Sequence, residues 1–279
     1  MILDCAGKAL DLTHPQVMGI LNVTPDSFSD GGQFLAQDSA LTQAKQMVAD
    51  GAGIIDVGGE STRPGAAIVS VEEEISRVVP VIEAIHSEID IPISIDTSKP
   101  EVMRAAINAG AGLINDVRAL TVDGALSAAV DCDVPVCLMH AQGTPQTMQD
   151  DPRYDDVVSN VINFLSERVS VCEEAGISRD KLILDPGFGF GKRATHNLQL
   201  MKHLSKVIEQ GLPVLVGVSR KSMIGKLLNV SVEERLAASL SLAALSVWQG
   251  AKIIRSHDVR ETVQAIMMCD HVMKVQECE

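Results

Sequence analysis

The residues of this chain best suited to chemistry stand where short apolar runs end. Eight such runs finish on or beside carboxylate, amide, imidazole or cationic side chains. One residue of this kind would be interpreted as a turn or a helix cap, but eight that converge on one pocket predict a binding or catalytic site. In chain order they are Asn22, Asp56, Asp96, Asn115 with Asp116, His140, Asp185, Ser219 with Arg220 and Lys221, and Arg255 with His257.

Cationic residues in and around this set predict an anion site in an otherwise acidic chain. Arg donates paired hydrogen bonds to phosphate oxygens, and a glycine-bearing loop that leads into a helix adds backbone N–H donors, so phosphate is the expected ligand. A loop cation can equally be solvated, which is the simpler interpretation for Lys192 and Arg193. The candidate set is Arg63, Lys192, Arg220, Lys221, Arg255 and His257.

Asp96, Asn115 and Asp185 form a second group, whose carboxylate and amide atoms suit the donor and acceptor edge of a planar heterocycle. Metal ligation is the competing interpretation. No His-rich cluster or C-x-x-C pair indicates a transition-metal site, although Asn22 could help to hold a magnesium ion that also binds phosphates. His140 is interpreted as mainly structural, because nothing in the sequence marks it as a base.

Two glycine-bearing loops carry phenylalanines that have no evident core to fill. The segment DPGFGFGK (185–192) places two Phe between three Gly, so that a ring could stack beside the carboxylate of Asp185. It is neither a Walker A loop nor a dinucleotide fingerprint. In MGILNVTPDSFSDGG (18–32), a buried strand gives way at Pro25 to a polar loop around Phe28. We expect residues 25–32 to be a mobile lid that becomes ordered over bound ligands.

The elements that must position these residues alternate regularly. β-rich runs separated by segments with helical spacing predict an α/β protein with a parallel sheet. Eight strands favour a closed (β/α)8 TIM barrel, a single domain over residues 1–279 with a short N-terminal hairpin or cap, and the active site of such a barrel forms at the carboxyl ends of its strands. The predicted strands are 17–22, 54–58, 93–96, 113–116, 134–140, 181–185, 214–219 and 252–255, and the predicted helices are 38–50, 71–88, 99–109, 122–132, 154–175, 195–210, 232–249 and 259–274.

Composition restricts the class of partner. A formal net charge of −14 argues against nucleic acid and anionic membranes, so we expect small-molecule partners. No apolar run approaches the roughly 20 residues that span a bilayer, and the N-terminus lacks the layout of a signal peptide, so we expect a cytoplasmic location. The segment 232–249 is apolar on nearly every face, which predicts a buried subunit interface.

Taken together, the motifs resemble dihydropteroate synthase, a folate-pathway enzyme of the pterin-binding TIM-barrel family, over essentially the whole chain. As a set they are highly specific. The departures are Ala141, where a bulkier residue such as Met is common, and Ser256, where an aliphatic residue is usual. The segments that carry the resemblance are MGILNVTPDSFSDGG (18–32), DVGGESTRPGA (56–66), ISIDTSKPEVM (93–103), INDVRAL (114–120), LMHAQGTPQTMQ (138–149), LDPGFGFGK (184–192), VGVSRKSMIG (216–225) and IIRSHDV (253–259).

The resemblance implies a transferase, and a sulfonamide target, that joins p-aminobenzoate to 6-hydroxymethyl-7,8-dihydropterin diphosphate, giving 7,8-dihydropteroate and pyrophosphate. It also implies a homodimer, a magnesium ion (Mg2+) near Asn22, and catalytic roles for Asp96, Asp185, Lys221 and Arg63. In this assignment the edge of the pterin is held by Asp96, Asn115, Asp185 and Lys221, its slot is lined by Met139, Phe190 and Gly217, and Arg255 stacks on or beside the ring. The diphosphate is bound by Asn22, Arg63, Arg255 and His257. The p-aminobenzoate is bound by Thr62, Arg63, Pro64, Lys221 and Ser222, and Phe28 folds over it.

Two other functions stay open from the sequence. A pterin-binding barrel of the methyltransferase type would share the pterin pocket but pass a methyl group to a cobalamin protein. The loop at Thr62 to Gly65 and the run Ser219 to Lys221 favour the synthase. A catalytically silent pterin-binding paralogue would bind the pterin diphosphate without releasing pyrophosphate, but every polar strand end needed for turnover is present.

Overall fold

The computed structural model describes residues 1–23, 33–61, 69–143, 148 and 151–275. An antiparallel hairpin of β1 (Ile2–Cys5) and β2 (Lys8–Asp11) precedes a ring of eight parallel strands. The ring follows the order β8-β7-β6-β5-β4-β3-β10-β9, and a parallel bridge between Leu184 and Val214 closes it. The eight strands are β3 (Gln16–Asn22), β4 (Ile54–Gly58), β5 (Ile93–Asp96), β6 (Leu113–Asp116), β7 (Val136–Met139), β8 (Leu182–Asp185), β9 (Leu215–Val216) and β10 (Ile253–Ser256).

Helices follow the strands, so the predicted (β/α)8 barrel with its N-terminal hairpin is confirmed. Within the described ranges no helix combines the length and apolar character needed to cross a membrane. The helices are α1 (Gln33–Ala49), α2 (Val71–Glu88), α3 (Pro100–Asn108), α4 (Ala125–Cys132), α5 (Val157–Glu174), α6 (Ala194–Lys202), α7 (Ser205–Ile208), α8 (Ser222–Leu228), α9 (Leu236–Trp248) and α10 (Val259–Lys274).

Apart from shifts of a few residues at the ends of elements, the predicted elements differ from the structure in three places. The predicted helix 195–210 is two helices, α6 and α7, because the chain leaves helical geometry at His203 and turns Leu204 and Val207 into the core. The predicted strand 214–219 pairs only at Leu215–Val216 in β9. Helix α8 was not predicted, since seven residues are too few to establish an apolar period.

Helix boundaries follow local chemistry. The Ser70 hydroxyl accepts a hydrogen bond from the Glu73 backbone N–H at 3.2 Å and caps α2, as the capping pattern predicts. Pro100 is the first residue of α3, where its missing N–H leaves no intrahelical bond unmade. Gly110 follows α3 with φ of 114°, and a Cβ there would lie 2.4 Å from His86 Cγ. Both the left-handed backbone and the close contact therefore require glycine at this turn.

Alternation along each strand separates the two faces of the barrel wall. In β4, Ile55 and Val57 join the apolar core between strands and helices, whereas Ile54 joins a smaller core inside the barrel. Successive side chains of a strand point to opposite faces, so Asp56 and Gly58 face the interior with Ile54. The carboxylate of Asp56 is thereby aimed into the barrel near the carboxyl end of β4.

The hairpin closes the amino-terminal end of the barrel. Leu3, Cys5, Leu10 and Leu12 are each 2% exposed. The hairpin backbone also approaches the barrel closely, since a Cβ on Gly112 would lie 2.2 Å from the Cys5 carbonyl oxygen. The apolar residues that pack against the hairpin come from the starts of the strands, and are Met18, Ile54, Leu113, Cys137, Ile183, Leu215 and Ile253.

We predict that Leu10→Ala lowers the free energy of unfolding by about 2–5 kcal/mol, because it opens a cavity between hairpin and barrel. Urea denaturation measures the change. The matched control is Ile2→Ala on the same hairpin, 66% exposed, which we expect to change stability by about 0.5 kcal/mol or less. Equal losses in both variants would show that the hairpin does not seal the barrel.

Candidate functional site

Strand register places four site positions in one row across the barrel mouth. Asn22 pairs with Gly58, Gly58 with Asp96, and Asp96 with Asn115, so these residues lie side by side at the ends of β3 to β6. A Cβ on Gly58 would lie 3.7 Å from Asn22 Oδ1 and 3.8 Å from Asp96 Oδ2. Because Gly58 has no side chain, it leaves a cradle that is lined by two oxygen atoms, Asn22 Oδ1 and Asp96 Oδ2.

Arg255 ties the two sides of the mouth together. Its Nε donates to Asp56 Oδ2 at 2.6 Å and its Nη2 donates to Asp96 Oδ2 at 2.8 Å. Asn115 Nδ2 donates to the same Asp56 oxygen at 3.1 Å. Asp56 is fully buried, and its Oδ1 has no hydrogen-bond partner within the described part of the chain. Asp56 therefore orients both Arg255 and Asn115 toward the pocket.

The opposite side of the mouth is built around Asp185 at the end of β8. Its Oδ1 accepts a hydrogen bond from the Gly187 N–H at 2.7 Å, which fixes the carboxylate. Lys221 stands immediately before α8, and its Nζ lies 4.2 Å from the centroid of the Phe190 ring, within cation–π range. A carboxylate, an ammonium and an aromatic face thus come together from β8, its following loop and α8.

Burial shifts the proton affinities of these groups. It raises the pKa of Asp96 to about 7, although Arg255 opposes the shift. It raises the pKa of Asp185 to about 6, against the Gly187 hydrogen bond and the nearby Lys221 charge. It lowers the pKa of Lys221 to about 8, and Arg255 adds to this shift. Burial thus disfavours the charged forms of all three groups, and a ligand that forms hydrogen bonds to them would stabilise these charged forms.

Comparison with known proteins identifies the family of this chain. The family model of pterin binding enzymes matches residues 18–257. Over 277 residues the chain is 55% identical to dihydropteroate synthase of Escherichia coli strain K12, covering 99% of this chain and 98% of that protein. The chain belongs to the dihydropteroate synthase family. It is accordingly an enzyme of the transferase class.

Solved structures of this family agree with the fold. The Yersinia pestis dihydropteroate synthase in complex with a sulfonamide drug superposes with a TM-score of 0.94 at 52% identity, covering 99% of this chain and 100% of that one. The Xanthomonas albilineans enzyme in complex with 7,8-dihydropteroate gives a TM-score of 0.90 at 47% identity, with 99% and 100% covered. The barrel is therefore the dihydropteroate synthase barrel.

Besides Arg255, the cations Arg220 and Lys192 of the predicted anion set have partners within the protein. Arg220 Nε donates to Asp258 Oδ2 at 2.9 Å, and its second bond to the same carboxylate makes the pair bidentate. Lys192 is 2% exposed, so its interpretation as a solvated loop cation is wrong. Its Nζ lies 2.9 Å from His140 Nδ1, and burial together with Lys192 lowers the pKa of His140 to about 3. His140 is therefore neutral, in line with a structural role.

The remaining site residues divide into two groups. Met139 is buried at the end of β7, and a Cβ on Gly217 would lie 3.9 Å from Arg255 Cβ, which leaves the slot beside Arg255 open. Ser222 begins α8, and His257 Nδ1 lies 3.1 Å from Ser219 Oγ. The residues whose roles stay predictions because they lie outside the described ranges are Phe28, Thr62, Arg63 and Pro64, together with the expected lid at 25–32.

Three strand-end residues need reassignment from their positions. The sequence-based assignment gives no role to Asp56. Its place inside a buried strand, on the same face as Ile54, is the signal that indicates a side chain pointing into the barrel. Asp116 faces outward and accepts from the Arg118 and Leu120 N–H groups at 2.8 and 2.7 Å, so it shapes a turn. Ser256 also faces away from the pocket, where its hydroxyl lies 2.8 Å from Thr262 Oγ1.

We predict that Asp185→Asn stabilises the ligand-free protein by about 1–3 kcal/mol at about pH 7.5. Because the folded-state pKa of Asp185 is about 6 and its ordinary value is 3.8, ionisation opposes folding above that range and not below it. The gain should therefore shrink as the pH falls toward about 4. Urea denaturation across pH measures it, with exposed Asp180→Asn as the control. A variant less stable than wild type at every pH would contradict the strained carboxylate.

Proposed function

We propose that this chain condenses 6-hydroxymethyl-7,8-dihydropterin diphosphate with p-aminobenzoate, giving 7,8-dihydropteroate and pyrophosphate. The observation that carries the proposal is the convergence of Asp96, Asn115 and Asp185 with the cations Arg255 and Lys221 at one barrel mouth. The X. albilineans relative, which holds 7,8-dihydropteroate, has the same fold around this mouth.

Asn115, Asp185 and Lys221 hold the edge of the pterin. Carboxylate and amide oxygens accept from the amino and ring N–H groups of the pterin, while the amide N–H and the ammonium donate to its acceptors. Burial keeps solvent from donating hydrogen bonds to the Asp185 carboxylate. The N–H groups of the pterin donate in its place, so binding favours the ionised carboxylate. Met139, Phe190 and Gly217 line the slot that the planar ring enters.

The reaction breaks the C–O bond between the pterin methylene and the diphosphate and forms a C–N bond to the p-aminobenzoate amine. Positive charge develops on the pterin as the bond to oxygen lengthens, and the carboxylates of Asp96 and Asp185 stabilise it. The leaving pyrophosphate meets Arg255 and His257, with Arg63 from outside the described residues. No covalent nucleophile is needed, and the proton lost by the amine passes to water or to pyrophosphate.

Magnesium fits one position at this mouth. In the described ranges no cluster of three or more His, Cys, Asp or Glu could hold a metal by itself. Mg2+ commonly takes one or two protein oxygens and completes its shell with water and substrate phosphates. The cradle at Gly58 presents Asn22 Oδ1 beside Asp96, and Asn22 is the residue that would hold the ion. When bound, magnesium neutralises charge on the pyrophosphate leaving group.

The p-aminobenzoate site adjoins the pterin slot. Lys221 offers its ammonium, and Ser222 offers a hydroxyl at the first residue of α8. The Phe190 ring, 4.2 Å from Lys221 Nζ, supplies an apolar face for the benzoate ring. Thr62, Arg63 and Pro64 complete this site in the proposal, and Phe28 folds over it.

Pyrophosphate release from the pterin substrate tests the reaction, measured with and without p-aminobenzoate and with magnesium or a chelator. We expect release and dihydropteroate formation that need p-aminobenzoate and fall when magnesium is removed. Methyl transfer from methyltetrahydrofolate without any dihydropteroate would support a methyltransferase. Binding of the pterin diphosphate without pyrophosphate release would indicate a silent paralogue.

Asp185→Asn and Lys221→Ala should each lower kcat/KM by about 100-fold or more, because each removes a preorganised electrostatic partner, while the fold survives. The matched controls Asp180→Asn and Lys202→Ala change exposed residues and should keep wild-type turnover. Steady-state kinetics with circular dichroism separates lost activity from lost structure. Near-normal turnover in both site variants would refute the assignment.

We propose that the enzyme is a homodimer that buries the exposed apolar faces of α9 and α10. Leu245, Trp248 and Met268 are 50%, 58% and 66% exposed on these neighbouring helices. Trp248→Asp should convert the dimer to a monomer in sedimentation velocity, whereas Leu198→Asp on α6, 45% exposed, should not. A monomeric wild-type enzyme would contradict the dimer.

A cytoplasmic location fits a folate-pathway enzyme and stays a prediction.

A further inference from the structure

Lys192 is a buried lysine that the proposed reaction does not use, and burial lowers the pKa of its amine to about 7. The residue is 2% exposed, and among the described residues its Nζ makes no hydrogen bond to a carboxylate. Instead, Nζ lies 3.1 Å from the His140 carbonyl oxygen, 2.9 Å from that of Gly187 and 3.0 Å from that of Phe190. The fourth neighbour is His140 Nδ1 at 2.9 Å.

All four neighbours can act as acceptors. Three are backbone carbonyls, and neutral His140 presents a lone pair on Nδ1 when its proton is on Nε2. An ammonium group, with three N–H donors and a spherical charge, suits such a cage of oxygen and nitrogen acceptors. The carbonyls belong to two different loops, because His140 follows β7 whereas Gly187 and Phe190 follow β8. The cage therefore joins the two loops.

The loop 187–191 is folded tightly around this cation. Gly187, Gly189 and Gly191 all have positive φ, of 68°, 85° and 60°. A Cβ on Gly187 would lie 1.9 Å from the His140 carbonyl oxygen, and one on Gly191 would lie 2.4 Å from that of Gln142. Glycine thus permits the close approach of the two loops, but by itself it leaves the chain conformationally free. A further interaction must therefore hold the loop in this conformation.

Two uncharged side chains hold the outside of the loop. Asn197 Oδ1 accepts from the Gly189 N–H at 2.8 Å, and Tyr154 Oη donates to the Gly191 carbonyl at 2.9 Å. Lys192 is the only side chain in the described ranges that donates hydrogen bonds to the carbonyls of both Gly187 and Phe190. Those two residues carry the hydrogen bond to Asp185 and the ring beside Lys221.

We propose that Lys192 is a positioning residue that acts as an internal ammonium ion, folding loop 187–191 so that the Phe190 ring faces Lys221 and Gly187 holds Asp185. It acts through these residues and does not contact substrate. This role rests on the proposed function only for its kinetic readout, because loop order is measured separately. The same cage should accept a small alkylammonium ion once the lysine side chain is removed.

Chemical rescue tests the proposal. Lys192→Ala removes the side chain from Cγ to Nζ, which n-propylammonium matches in length and in its N–H donors. We expect the variant to raise KM for the pterin diphosphate by about tenfold or more, with a smaller loss of kcat. Saturable rescue should occur with n-propylammonium chloride, and not with tetramethylammonium chloride at the same ionic strength, which carries the charge without N–H donors.

Hydrogen exchange provides a readout independent of activity. Amides of residues 187–191 should exchange faster in Lys192→Ala and regain protection with n-propylammonium, while Lys202→Ala, an exposed lysine on α6, should match wild type in both assays. A folded Lys192→Ala with unchanged KM and loop protection would overturn the proposal, as would equal rescue by both cations. Wild type that forms no dihydropteroate would instead refute the proposed function.

A second variant covers the case in which Lys192→Ala does not fold. Lys192→Gln keeps two N–H donors and most of the side-chain volume. Its KM should therefore exceed that of the wild type, and the amides of residues 187–191 should be less protected from hydrogen exchange than in the wild type but more protected than in a fully disordered loop. A lysine Nζ ammonium signal protected from solvent exchange should appear in the NMR spectrum of the wild type and be missing from Lys192→Gln. Wild-type kinetics in Lys192→Gln, or no protected signal, would refute the internal ammonium.

Discussion

The site depends on one partly buried ion-pair arrangement, in which Arg255 lies between the carboxylates of Asp56 and Asp96. Its 2.6 and 2.8 Å hydrogen bonds join β10 to β4 and β5 across the barrel mouth. A buried guanidinium needs such partners, since removing one leaves an uncompensated charge. Asp56 also orients Asn115, so a single carboxylate inside the barrel holds side chains from two other strands, β6 and β10. The pterin edge is recognised by side chains whose positions these bonds determine.

Stability and function are separated by the two faces of the barrel wall. Outward residues such as Ile55 and Val57 build the apolar core under the helices, while the hairpin fills the amino-terminal end. The carboxyl end can therefore keep groups that oppose folding, above all Asp96 and Asp185, whose pKa values burial raises to about 7 and about 6. Such strain is expected where a ligand, rather than the protein, supplies the missing hydrogen bonds.

The sequence predicted the barrel and most of the pocket, because strand runs and their polar ends are local patterns. Asp185 and Asn115 could be placed at strand ends without knowing their neighbours. Pairings between distant residues could not be predicted in this way. Lys192 contacts His140, 52 positions away, and Arg220 contacts Asp258, 38 positions away. The burial of Lys192 and the partners of both residues therefore follow only from the closed barrel. The short helix α8 was missed because seven residues carry too little periodicity.

In the proposed reaction the pterin donates hydrogen bonds to carboxylates whose ionisation burial disfavours. Calorimetric titration at about pH 6, in buffers of different ionisation enthalpy, measures the protons that are taken up or released on pterin binding. The ligand is 6-hydroxymethyl-7,8-dihydropterin without its diphosphate, so that no phosphate group titrates. Because donors from the pterin should lower the pKa of Asp185 from about 6, binding should release protons, less so in Asp185→Asn. Proton uptake, or binding with no proton exchange in the wild type, would contradict the account.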